Sequence, residues 1–171
     1  MATVRRKKGK KTKGQDGDIG AIDPIGEPFI RFCTLELKRG YSSDTVHALL
    51  DKHRKAKHQT YEHWFAKCRR QKESAGSYSW MLITKRNQRE ALVFMPYGSA
   101  TKLETCQNAL SGEHTTKGSR LTSDLPVAVF TVELDGVSET VFCARLESFL
   151  ENVAPQAVRD LLESGGVLSF G

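Results

Sequence analysis

Apolar side chains change their spacing several times along this chain, and each change predicts an element. Residues 19–22 and 29–37 are runs suited to strands, and they flank the Pro/Gly-rich stretch 24–28. Such punctuation makes successive strands antiparallel neighbours, so a hairpin is expected at the front. Gly40 ends it, and Ser42 or Ser43 can cap a helix carrying Thr45, Val46, Leu49 and Leu50. Beyond the basic stretch 51–58, Tyr61, Trp64, Phe65 and Cys68 recur at three- and four-residue intervals. That pattern predicts a helix over about 59–74 with those four residues packed on a sheet. Residues 79–84 and 91–95 are nearly continuous in apolar character, as strands buried on both faces are. A short helix is expected over 99–110 and an exposed loop over 111–120, rich in Gly, Thr and charge. Residues 127–134 and 137–144, joined by Asp135 and Gly136, predict a second hairpin. Residues 146–153 and 155–163 predict two helices, with Pro155 suited to a first turn and Gly165 to a stop. The expected class is α/β, a mixed central sheet flanked by helices.

At 171 residues with 39% hydrophobic content, the chain supports one ordinary core and not two. The expectation is a single domain over 16–171 behind a tail, 1–15. The tail holds Arg5, Arg6, Lys7, Lys8, Lys10, Lys11 and Lys13 with no acidic residue and hardly any apolar one. A segment so composed has no core of its own and is expected to be disordered. The net charge of +6 is uneven: residues 1–72 carry 18 Lys/Arg against 8 Asp/Glu, or +10, and residues 73–171 carry 8 against 12, or −4. A polyanionic partner would therefore meet the first half. No apolar run approaches the roughly 20 residues of a membrane span, and no signal-peptide core is present, so a soluble intracellular protein without membrane contact is expected. Cys33, Cys68, Cys106 and Cys143 form no C-x-x-C pair, which points to buried, reduced thiols. His53, His58 and His63 stand five apart, a poor spacing for one helical face, and do not suggest a metal site.

Chemistry concentrates at the front. Side chains alternate along a strand, so Glu36 and Lys38 share one face. A turn centred near Ile25 and Gly26 would set Asp18 opposite about Cys33 and leave Asp23 close to the turn, making Asp18 the better partner for Glu36. An Asp, then a strand, then Glu-x-Lys suits metal-dependent phosphodiester cleavage. Two carboxylates hold a hard divalent cation, which lowers the pKa of a bound water and offsets charge developing on the phosphate. The lysine can orient that water or steady the phosphate. Lys67, Arg70 and Gln71 lie on the predicted 59–74 helix where they could face a substrate, and Lys85, Arg86 and Arg89 would project at one rim of the sheet.

Gly17-Asp18-Ile19 opening one strand and Glu36-Leu37-Lys38 closing the next resemble the PD-(D/E)XK nuclease superfamily, and residues 78–95 resemble the strand pair that follows its catalytic hairpin and helix. The resemblance covers about half the chain. It implies a restriction-endonuclease-like mixed sheet and a nuclease hydrolysing DNA with Mg²⁺ or Mn²⁺. Asp18 and Glu36 would be metal ligands, the backbone carbonyl of Leu37 would complete the shell, and Lys38 would position the attacking water. Tail cations with Lys67, Arg70, Lys85 and Arg86 would meet DNA. Small members of the superfamily include phage-encoded nucleases and Holliday-junction resolvases, so a phage or prophage enzyme acting in the cytoplasm of a bacterial host is expected, with a homodimer as one arrangement. The chain departs from the family in showing no acid-bearing helix before the first catalytic strand. Two other readings compete: a non-catalytic nucleic-acid-binding protein on the same scaffold, and a viral assembly protein with a genome-binding arm, which explains the tail but not the Glu-x-Lys.

The tail yields a direct expectation. Each phosphate contact contributes about 0.9 to the slope of log affinity against log salt. Deleting residues 1–14 removes seven cations, so that slope should flatten by up to about 6 while binding weakens without change of sequence preference. Fluorescence anisotropy at several salt concentrations measures it, and an unchanged slope would show that the tail does not touch the backbone.

Overall fold

The structure is a computed structural model that describes residues 17–19, 24–40, 45–50, 60–111 and 128–164. Its sheet has five strands: β1 (Cys33–Arg39), β2 (Ser79–Lys85), β3 (Ala91–Pro96), β4 (Ala128–Leu134) and β5 (Val137–Arg145), in the order β1-β2-β3-β5-β4. β1 and β2 pair in parallel and the remaining pairs are antiparallel, so the sheet is mixed. A parallel pair needs a long crossover, and the helix α3 (Thr60–Ala75) lies within it. The other helices are α1 (Glu27–Phe32), α2 (His47–Leu50), α4 (Tyr97–Ser111), α5 (Leu146–Asn152) and α6 (Pro155–Glu163). This is the expected α/β class, a mixed central sheet flanked by helices.

The two sheet faces differ. On one, α3 buries Tyr61, Trp64, Phe65 and Cys68 against Trp80, Leu82, Phe94 and Val141, as its periodicity predicted. The Phe65 ring centroid lies 5.5 Å from those of both Trp80 and Phe94, and Tyr61 lies 5.3 Å from Phe94. Tilted aromatic contacts of this kind fix the height and rotation of α3 over β1 and β2. On the other face, α1, α4, α5 and α6 cover Leu35, Met81, Val93, Met95 and Phe142. The four cysteines are buried and unpaired, and burial pushes the thiols of Cys68 and Cys143 up to about 12.

The second hairpin is present, and its turn residues Asp135 and Gly136 have φ of 51° and 78°, the positive values a two-residue turn of this type requires. The front of the chain differs from expectation. Residues 29–32 belong to α1, and the strand begins only at Cys33. Pro28 sits in the first helical turn, where its missing N–H is not needed, and Glu27 complements the positive end of the helix dipole. Phe29, Ile30 and Phe32 then reach the four-helix layer. Ile19 lies in no strand, and residues 20–23 fall outside the described residues. Of the first predicted helix, only His47–Leu50 is helical, with Ser42 and Ser43 outside the described residues, as are the tail and positions 112–120.

Glu139, on the α3 face of β5, accepts a hydrogen bond from Trp80 Nε1 at 3.3 Å and keeps a buried Oε2 that has no hydrogen-bond partner. Burial raises its carboxyl pKa, against the Trp80 hydrogen bond and the charges of Arg69 and Lys72. An acid with a raised folded-state pKa destabilises the fold fully above that pKa, and the penalty vanishes as pH falls below the unfolded value of about 4.3. Glu139→Gln keeps the acceptor for Trp80 and removes the charge. It should stabilise the protein by up to about 1 kcal/mol near pH 8 and leave it unchanged near pH 4, as read by urea unfolding at both.

Candidate active site

β1 stands at one end of the strand order, and residues 17–19 run along its outer edge. The Asp18 amide donates to the Leu35 carbonyl at 2.7 Å, and the Leu37 amide donates to Asp18 Oδ2 at 2.9 Å. The Asp18 side chain thus stands where the carbonyl of a neighbouring strand would. Asp18 was expected opposite Cys33; it lies instead against Leu35 and Leu37, flanking Glu36. The helix α1 shortens the path on the β1 side of the turn. Residues 29–32, advancing about 1.5 Å each rather than about 3.3 Å, take up about 7 Å less path, or about two strand positions. Gly17 makes the approach possible: its φ is +95°, and a Cβ there would sit 2.7 Å from the Leu35 carbonyl oxygen.

Glu36 and Lys38 share the α3 face of β1, as alternation predicted. Glu36 is in register with Leu82 of β2 and is only 1% exposed. Its Oε1 accepts hydrogen bonds from Lys38 Nζ and from Lys67 Nζ of α3, while its Oε2 is buried with no hydrogen-bond partner. Burial pushes the Glu36 carboxyl up, but the hydrogen bonds and charges of Lys38 and Lys67 outweigh it and hold it below its ordinary value. Glu36 is therefore ionised at neutral pH. The stability that its charge contributes is complete above the unfolded carboxylate pKa and is lost as pH falls through the lower folded value. Lys38 Nζ lies 6.0 Å from the centre of the Trp64 ring.

The oxygens these residues offer a divalent cation are few. Among the described residues no three His, Cys, Asp or Glu side chains gather into one cluster, so a metal would rest on fewer side chains plus backbone. Glu36 Oε2 is an acceptor without a donor, in a place where a buried carboxylate oxygen should have a partner. The N–H and C=O of one strand residue point to the same side. The Leu37 carbonyl therefore faces the edge where its amide holds Asp18, and Asp18, Glu36 and Leu37 could supply oxygen ligands to one ion.

The remaining expected site residues are dispersed. Lys67 was expected on nucleic acid and is found on Glu36. Its place on α3, three residues after Trp64, was the available signal. Arg70 pairs with Asp135 Oδ2 at 2.8 Å at the β4–β5 turn. Lys85 is exposed at the end of β2, in register with Arg39, a cation the sequence reading passed over; Arg86 follows, partly buried. Arg5, Arg6, Lys7, Lys8, Lys10, Lys11, Lys13 and Asp23 lie outside the described residues. The helix found before β1 is α1, which lies between Asp18 and the strand and carries an exposed Glu27. A groove of about 300 Å³ lined by Phe29, Phe149, Leu150 and Val158 lies among α1, α5 and α6, away from Glu36.

Gly17→Ala should cost about 1–3 kcal/mol, because the new Cβ meets backbone and the left-handed φ disfavours it. The strain should release Asp18 from β1, so amide exchange at Leu37 should accelerate by more than the loss in global stability explains. A variant with unchanged melting and unchanged Leu37 exchange would show that this contact does not hold Asp18.

No protein-family model, no curated protein and no solved structure matches this chain.

Proposed function

We propose that this chain is a metal-dependent nuclease of the PD-(D/E)XK type that hydrolyses DNA phosphodiester bonds. The observation that carries the proposal is the buried, partnerless Oε2 of Glu36, beside Lys38 and next to the strand residue that holds Asp18. Asp18, Glu36 and the Leu37 carbonyl would hold Mg²⁺ or Mn²⁺. When bound, the ion supplies Lewis acidity and an activated water. Lys38, bonded to Glu36 and 6.0 Å from the centre of the Trp64 ring, would orient that water and meet charge developing on the phosphate. Arg39, Lys85 and Arg86 at the same rim, with the basic tail, would hold flanking phosphates without reading bases. The mixed sheet with a helix between its parallel strands suits a restriction-endonuclease-like scaffold. A phage or prophage origin and a host-cytoplasmic site of action belong to the same proposal.

One observation favours the rival, a DNA-binding protein without cleavage: Glu36 already has two ammonium partners and carries no net demand for a further cation. Incubation with supercoiled, linear and branched DNA, with Mg²⁺ or with EDTA, separates the two. Glu36→Gln should lower cleavage at least about 100-fold and leave DNA affinity within about threefold, because Gln keeps the shape and loses the charge. Asp18→Asn, at an exposed position, should give the same loss with no buried charge disturbed. Lys38→Ala should lose rate about 100-fold while calorimetric Mn²⁺ binding persists. A wild type that binds DNA but cleaves nothing with any divalent ion would leave the binding protein as the correct reading.

A further inference from the structure

Glu36 is met by two ammonium groups, where orientation of a water accounts for one. Both reach the same oxygen, Oε1. They differ in how firmly they are held. Lys38 comes from the same strand, lies near the Trp64 ring, and has a side chain only 16% exposed. Lys67 reaches across from α3, with a side chain 41% exposed. A lysine on a flexible stem with nearly half its surface in water can leave a carboxylate at small cost. Glu36, at 1% exposure, cannot follow it into water.

Charge then decides the consequence. Glu36 already meets Lys38 and Lys67 with no ion present. A divalent ion on Glu36 Oε2 would stand within a few ångströms of an ammonium on Oε1, and like charges at that range repel strongly at any protein dielectric. Lys67 is the group free to relieve that repulsion. We infer that Lys67 is an exchangeable counter-ion for Glu36. It holds the buried charge in the ion-free protein and swings off Oε1 when a divalent ion binds. Its ammonium, then at the mouth of the site, meets a phosphate oxygen of the substrate. Lys67 is in these terms a positioning residue, and the inference rests on the nuclease reading given above.

The test uses the full chain and no DNA. Mn²⁺ is titrated calorimetrically into wild type, Lys67→Met and Lys67→Arg, and each is melted without metal. Lys67→Met should bind Mn²⁺ about fivefold more tightly, the effect of removing one competing ion pair. It should also melt at lower temperature without metal, and Lys67→Arg should restore the melting. In wild type, covalent acetylation of Lys67, mapped by mass spectrometry, should become severalfold faster when Mg²⁺ is added, and Lys38 should change less. The wild-type measurement stands even if Lys67→Met does not fold. Mn²⁺ affinity unchanged or weakened in Lys67→Met, or Lys67 reactivity indifferent to Mg²⁺ in a wild type that binds it, overturns the counter-ion role and leaves the nuclease reading intact. A wild type that binds neither ion overturns both.

Discussion

Burying an ionised carboxylate is costly unless opposite charge and hydrogen-bond donors meet it inside the protein. Glu36 sets that condition for the α3 face of the sheet. It lies in a parallel strand pair under a helix, nearly without contact with water, and its charge is kept only because Lys38 and Lys67 converge on one of its oxygens. The position of α3 therefore has to be exact enough to deliver Lys67. The aromatic stack of Tyr61, Phe65, Trp80 and Phe94 gives it that position, one turn of helix away from the charged cluster. Apolar packing and a polar site thus occupy one continuous layer, with Trp64 and Cys68 at the boundary. The cost of the arrangement shows at the boundary too: the Cys68 thiol is pushed far up, first by burial and then by the nearby Glu36 charge, and stays protonated.

The second constraint is the edge of the sheet. An unprotected edge strand invites pairing with other chains. Along β1 the short segment at Asp18 takes up two of the edge groups, the Leu35 carbonyl and the Leu37 amide. The same two bonds hold Asp18 on the two residues that flank Glu36 in the strand. Gly17 is the residue that permits it, because any side chain there would collide with the strand.

Charge is divided between the two faces as well. The α3 face carries the Glu36 cluster, Glu139 with Trp80, and the Arg70–Asp135 pair, while on the other face α4 buries Glu104 and its Ser99 meets Ser79 of β2. The parallel pairing of β1 and β2 places Arg39 and Lys85 side by side at the ends of their strands.

Much of this architecture was legible in the sequence, because it depends on short-range rules. The helical stripe of Tyr61, Trp64, Phe65 and Cys68, the doubly buried runs of β2 and β3, the Asp135-Gly136 turn and the Pro155 helix start each follow from spacing or turn chemistry within a few residues. The common face of Glu36 and Lys38 follows from strand alternation in the same way. Other features were decided only in three dimensions. Phe29, Ile30 and Phe32 suit a strand or a helix equally, and it is their seat in the four-helix layer that makes them helical. Asp18 lies against Leu35 and Leu37 rather than Cys33, a register that a hairpin without that helix does not give. Lys67 on a helix reads the same whether it faces water, phosphate or a carboxylate; its partner Glu36 is 31 residues away and becomes a neighbour only when α3 crosses over β1. Local windows carry periodicity, and they do not carry which distant groups will share one desolvated volume, where the need to neutralise a buried charge selects the contacts.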